Sequence, residues 1–183
     1  MRGSSTLLGA ALLALSLASD CVADGVARES HLEFSLPSLR GGDAQVRLAD
    51  YRNKIVYVDV WASWCAPCLK AMSELEALRD KFRGQPFEVV GVNVDHDPAA
   101  ARAMLERVGV HYPIAFDRDG AQLRALQFAN EEDLAGLPFG ILLDGRGNVR
   151  GSHLGWTSRQ SEFLSEHIET LLAELRVESD PRH

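Results

Sequence analysis

The chain has 183 residues, of which 46% are apolar, 25% charged and 7% aromatic, with 15 Gly and 7 Pro; this profile argues for one globular domain and against collagen, coiled coil, disorder or a polytopic membrane protein. Its 26 acidic and 19 basic side chains give a formal charge of -7, and no Lys/Arg block exceeds a pair, which argues against a nucleic-acid partner. Three cysteines are too few for a disulfide scaffold, so their spacing carries the information.

Met1-Arg2 is a short basic start, and the uncharged run Leu7 to Ala18 is too short for a spanning helix, which needs roughly 20 residues. It reads as a secretory signal, with small-x-small sites at Ser16-Leu17-Ala18 and Cys21-Val22-Ala23. Cleavage after Ala23 makes 1–23 the signal segment and 24–183 the domain. Cys21 stands where bacterial lipoproteins carry a lipidated cysteine, but Asp20 before it is a poor match to the small residue expected there, so cleavage is favoured over lipidation.

His31 to Leu39 reads as a loop containing Pro37, Gly41-Gly42-Asp43 as a turn, and Ala44 to Leu48 as a short edge strand. Lys54 to Trp61 is rich in β-formers and nearly continuously apolar, as a strand covered on both faces must be. From Cys68 to Phe82 the residues Leu69, Met72, Leu75, Leu78 and Phe82 recur at helical steps opposite a charged face, predicting an amphipathic helix. Phe87 to Val94 is a second buried strand, and Pro98 to Val108 a helix opened by Pro98 and closed by Gly109. Ile114 to Phe116 predicts a strand, Ala121 to Phe128 a brief helix, and Asn130 to Asp133 a polar loop. Phe139 to Leu143 and Val149 to Leu154 flank a five-residue turn and form a hairpin. The last helix starts near Ser158, with Thr157 and Gln160 spaced as a capping box, and buries Phe163, Leu164, Ile168, Leu171, Leu172 and Leu175; the tail after Arg176 is expected to fray. Alternating strands and helices with a closing hairpin predict a three-layer α/β/α sandwich around a central mixed sheet.

Trp64-Cys65-Ala66-Pro67-Cys68 lies between the first strong strand and the amphipathic helix. Two cysteines in the first helical turn are close enough for a small disulfide ring. Cys65 faces the free N-H groups and the positive end of the helix dipole, which stabilise a thiolate. Cys68 is about one turn deeper and suits a resolving thiol that releases a partner from a mixed disulfide. Pro67 needs no intrahelical donor there and stiffens the loop. Half of a zinc site, a static disulfide and simple core packing are the competing readings. The chain offers no second Cys pair and no matching His spacing, and so small a ring constrains little loop entropy, so redox exchange is preferred, with no metal and no cofactor.

Val58-Asp59-Val60-Trp61-Ala62-Ser63-Trp64-Cys65-Ala66-Pro67-Cys68 closely resembles the active-site segment of thioredoxins. Together with the secretory start, Leu48-Ala49-Asp50-Tyr51, Val90 to Asp95 and Gly136-Leu137-Pro138, the pattern over Phe34 to Ile168 is similar to the exported TlpA/ResA-like branch. That resemblance implies a thioredoxin-like fold and a thiol-disulfide oxidoreductase of the bacterial periplasm, soluble or anchored through its N-terminal segment. Such a protein reduces client disulfides, for example apocytochrome c or copper-site cysteines, with electrons from a membrane thiol donor.

The resemblance also implies site residues. Leu137 and Pro138 match the cis-proline that pairs its backbone with substrate, where sequence alone reads a strand-entry proline. Asp59 matches the buried acid of thioredoxins, a proton partner for Cys68 with a raised pKa, against the bland reading of an outward edge carboxylate. Gly91 replaces the lysine that accompanies this acid, Phe139-Gly140 stands where relatives often have small hydroxyl residues, which alters the floor of the substrate groove, and Ser73 replaces a helix-kinking proline. Trp64 is assigned to sulfur shielding and partner contact, Trp61 to packing. Asp95-His96-Asp97 reads as a solvated turn or helix cap, and His31, His111, His153 and His167 as surface or partly buried. The alternative function is Cu(I) delivery through the two cysteines, although copper-delivering relatives space them three apart and add a histidine. A peroxidase is weaker, because Val58 and Ala62 stand where peroxiredoxins carry Pro and Thr.

Overall fold

The computed structural model describes residues 31–157 and 159–179. The signal reading, Cys21 and Ser158 therefore lie outside the described residues. Among the described residues seven strands and five α-helices follow in order: β1 (Ser35–Pro37), β2 (Gln45–Arg47), β3 (Ile55–Trp61), α1 (Ala66–Lys81), β4 (Phe87–Asn93), α2 (Pro98–Val108), β5 (Ile114–Phe116), α3 (Ala121–Ala125), α4 (Glu131–Ala135), β6 (Phe139–Leu143), β7 (Val149–Leu154) and α5 (Gln160–Glu178).

Every residue of β3 is buried, which fits its run of Ile, Val and Tyr and its place at the centre of a five-stranded sheet ordered β5-β4-β3-β6-β7. β4 and β5 run parallel to their neighbours, whereas β6 and β7 are antiparallel, so the sheet is mixed. Helices flank it in a thioredoxin-like α/β/α arrangement, with α1 packed on β4 and α5, and α5 also against β3.

α1 begins two residues before the expected start because Cys65 itself caps it and Pro67 sits in its first turn. Met72 and Leu75 on its inner stripe are fully buried, each contributing roughly 1.5–3 kcal/mol. α2 keeps its expected bounds: the Asp97 side chain accepts from the Ala99 N-H at 3.0 Å, and Gly109 closes it at φ 71, a left-handed value that glycine adopts without strain.

Four expectations change. The segment read as a loop around Pro37 contains β1, which pairs antiparallel with β2 in a separate ribbon. The polar segment Asn130 to Asp133 opens α4: the Asn130 side chain accepts from the Asp133 N-H, and Asp133 accepts from the Asn130 N-H. α5 has Arg159 at its N-cap with no side-chain cap, so the Thr157/Gln160 box is not formed; instead the Gln160 N-H donates to the Thr157 carbonyl. Phe163, expected in the core, is 55% exposed and rests on the His167 ring at 4.0 Å between centroids.

Candidate active site

The sheet ends its central strand at Trp61, and a four-residue connection delivers Cys65 to the first turn of α1. Cys65 and Cys68 are disulfide-bonded, with Cα atoms 5.4 Å apart. The Cys65 sulfur also accepts the Cys68 backbone N-H at 3.3 Å, so it faces the unpaired donors of the helix start. Both cysteines are buried, Cys65 keeping 4% of its surface and Cys68 none.

The connection is held from the next strand. Asp95, two residues past the end of β4 and almost fully buried, accepts the Ser63 N-H with both carboxylate oxygens at 3.0 and 3.1 Å. Asn93 donates to Asp95 at 3.0 Å and takes the Asp95 N-H in return. The reading of Asp95 as part of a solvated turn therefore does not hold, and its hydrophobic neighbour Val94 and the Asn-x-Asp spacing are the local signals of its burial. Asp97 does cap α2, as a helix-cap reading requires. His96 is exposed and points to Asp119 at 3.0 Å. No cluster of His, Cys, Asp or Glu suited to a metal occurs among the described residues.

Around the sulfurs, Trp64 is 64% exposed, at the rim of an open groove that Asp95, Asp97, Arg124 and Leu134 help to line. The Leu137-Pro138 peptide is cis. Pro138 precedes β6, and its carbonyl accepts the Gly155 N-H at 2.7 Å, tying it to the corner after β7. Trp156 on that corner donates its indole N-H to Glu74 on the redox helix at 2.9 Å.

Asp59 lies in the middle of β3 and is fully buried, so the outward-edge reading does not hold. Burial pushes its carboxyl up to about 7, opposed by a long hydrogen bond from the Tyr112 hydroxyl at 3.4 Å. Its Oδ1 and the Trp61 indole N-H have no hydrogen-bond partner among the described residues. Trp61 is fully buried, in keeping with a packing role. Tyr112 lies 53 positions from Asp59, so no spacing along the chain pairs the two. Ser73 turns its hydroxyl back to the Leu69 carbonyl at 3.1 Å, and α1 runs through without interruption.

The redoxin family model matches residues 27–166. Thiol-disulfide oxidoreductase ResA of Geobacillus kaustophilus is 30% identical over 139 residues, 76% of this chain and 74% of that protein. Among solved structures, a candidate thiol:disulfide interchange protein DsbE from Chlorobium tepidum superposes with a TM-score of 0.69 at 30% identity, covering 79% of this chain and 96% of that one. A DsbF homologue from Corynebacterium diphtheriae gives 0.67 at 27%, over 77% and 85%. With the fold, the match over most of its length and this degree of identity in agreement, the chain belongs to the redoxin family, among its ResA/TlpA-like thiol-disulfide oxidoreductases.

Proposed function

We propose that the chain reduces disulfides of exported client proteins through Cys65 and Cys68. The observation that supports this most directly is the Cys65 sulfur at the N-cap of α1, bonded to Cys68 and taking its backbone N-H. In the reduced protein the Cys65 thiolate attacks one sulfur of a client disulfide, and the other client sulfur leaves as thiolate. Cys68 then gives its proton to Asp59 and attacks the mixed disulfide, re-forming the Cys65-Cys68 bond and releasing the second client thiolate. Two electrons pass to the client, and a membrane thiol donor restores them.

Trp64 and Pro67, next to the cysteines in sequence, and Leu137 and Pro138, just before the β6 residue that pairs with Val60, form the client contact in this reading; the exposed Trp64 indole offers the apolar surface. The clients are proteins with paired cysteines, such as apocytochrome c or copper-site proteins, in the periplasm. No helix among the described residues is long and apolar enough to cross a membrane, and a secretory start at residues 1–23 accounts for export.

The test is the two-electron potential of the purified domain, with a parallel Cu(I) titration of the reduced form. A reversible, reducing potential with weak copper binding is expected. Tight stoichiometric copper with sluggish exchange overturns the proposal in favour of metal delivery.

A further inference from the structure

Asp59 belongs to a row of residues that crosses the sheet. In register it stands opposite Gly91 on β4 and Gly140 on β6, and Gly140 in turn stands opposite His153 on β7. Gly140 has no side chain for a visible reason: a Cβ there would overlap the Tyr57 hydroxyl and come within 2.6 Å of His153 Nε2. Tyr57 lies two residues before Asp59 on the same strand, hence on the same face. Its hydroxyl therefore fills the place between Asp59 and His153, roughly one strand spacing, about 4.8 Å, from Asp59.

The hydrogen bonds around that hydroxyl have a defined direction. His153 Nδ1 lies 3.1 Å from the Gly155 carbonyl, which can only accept, so Nδ1 carries the hydrogen. Nε2 is then the acceptor, and the Tyr57 O-H donates to it at 2.7 Å. The Tyr57 oxygen keeps its own lone pairs, while the buried Asp59 Oδ1 has no partner among the described residues. At the other end His153 is half-buried and lines a cavity of about 200 Å³ between β7 and α5, with Gln160, Phe163 and His167.

We propose that Tyr57 and His153 form the route by which the proton of Asp59 passes between the sheet interior and solvent. The inference rests on the reading of Asp59 as the proton acceptor of Cys68. In the outward direction the Asp59 carboxyl gives its proton through one intervening water to the Tyr57 oxygen as the Tyr57 O-H gives its own to His153 Nε2. The imidazole, already holding Nδ1-H, becomes imidazolium and yields a proton to a solvent base. No electrons move, and the tyrosine ends as it began. Burial lowers the His153 pKa from its ordinary value, with the Gly155 hydrogen bond opposing, so the ring is a neutral acceptor near neutrality.

The groups facing this path are few. Tyr57 on β3 and Tyr112 before β5 border Asp59, and Glu76 on α1 acts on Tyr112. Around His153 stand Tyr57, Arg150 of its own strand and His167 of α5; Arg150 is held by Glu174 at 2.8 Å.

The experiment is the pH profile of single-turnover insulin reduction by the pre-reduced protein, with Asp59 protonation followed by its carboxyl infrared band. Tyr57→Phe and His153→Ala are each expected to slow the reaction about tenfold near neutral pH, while the Asp59 band persists. Imidazole added to His153→Ala restores the rate in proportion to its concentration and leaves Tyr57→Phe unchanged. His153→Gln, neutral and still able to hydrogen-bond, is as slow as His153→Ala. Wild-type profiles in both variants, or a slowing equal at every pH with no response to imidazole, overturn the route while Asp59→Asn still slows exchange. If Asp59→Asn itself reacts at the wild-type rate, the fault lies in the role given to Asp59 and the route falls with it.

Discussion

Replacing Asp59 by Asn removes a charge from the interior without changing its shape, and the structure sets both the sign and the size of the effect. In the unfolded chain the carboxyl ionises near 3.8, whereas in the folded protein burial holds its proton until about pH 7. Between these values the folded state binds more protons than the unfolded one, so wild-type stability falls as pH rises and levels off above about 7. A shift from 3.8 to about 7, at ~1.4 kcal/mol per unit, amounts to up to about 4 kcal/mol. Asn cannot ionise and still accepts the Tyr112 hydroxyl. The two oxidised proteins should therefore unfold at nearly the same urea concentration below about pH 4, and the variant should be more stable by up to about 4 kcal/mol above about pH 7. Equal stability of the two proteins at alkaline pH, or a difference that does not change with pH, refutes an elevated carboxyl inside the sheet.

Three further outcomes are expected. Cys68→Ser should hold client proteins as mixed disulfides on Cys65, recoverable from an exporting cell by non-reducing electrophoresis; no such adduct would contradict the order of attack. Gly140→Ala forces the Tyr57 and His153 side chains apart and should cost about 1–3 kcal/mol in a denaturant titration, with a wild-type midpoint contradicting the close approach. Asp95→Ala leaves the Ser63 N-H without its acceptor and the Asn93 amide with only its long bond to the Trp61 carbonyl at 3.4 Å, at a cost of about 1–3 kcal/mol; faster amide hydrogen exchange at Ser63 is the measurement that checks it.

Much of the architecture was legible because its physics is local. The apolar run of β3 requires cover on both faces, and the stripe of α1 requires a sheet to lie on, so these two elements and the cysteines between them follow from spacing alone. β1 escaped because three residues ending in proline carry too short an alternation. α4 escaped because its cap uses Asn130 and Asp133 rather than the Ser/Thr and Glu/Gln pairing. Phe163 was assigned to the core on spacing, yet it falls at the edge of the apolar stripe of α5, where the His167 ring covers part of it.

The site divides in the same way. Cys65, Cys68 and Pro67 are contiguous, and their chemistry can be read in one glance along the chain. Asp95 and Tyr57 act on partners 32 and 96 residues away, respectively, so no window of sequence contains either relation.

The two glycines opposite Asp59 set the room around the acid. A side chain at residue 91 would meet Ile114 at 2.5 Å and Tyr112 at 3.2 Å, and one at residue 140 would strike Tyr57. A lysine companion for the acid, of the kind thioredoxins carry at the position of Gly91, thus has no room until Tyr112 and Ile114 give way. Lineages bearing this arrangement should exchange these positions as a block, and a graft that moves the acid alone into another scaffold would arrive without the space that shapes its behaviour.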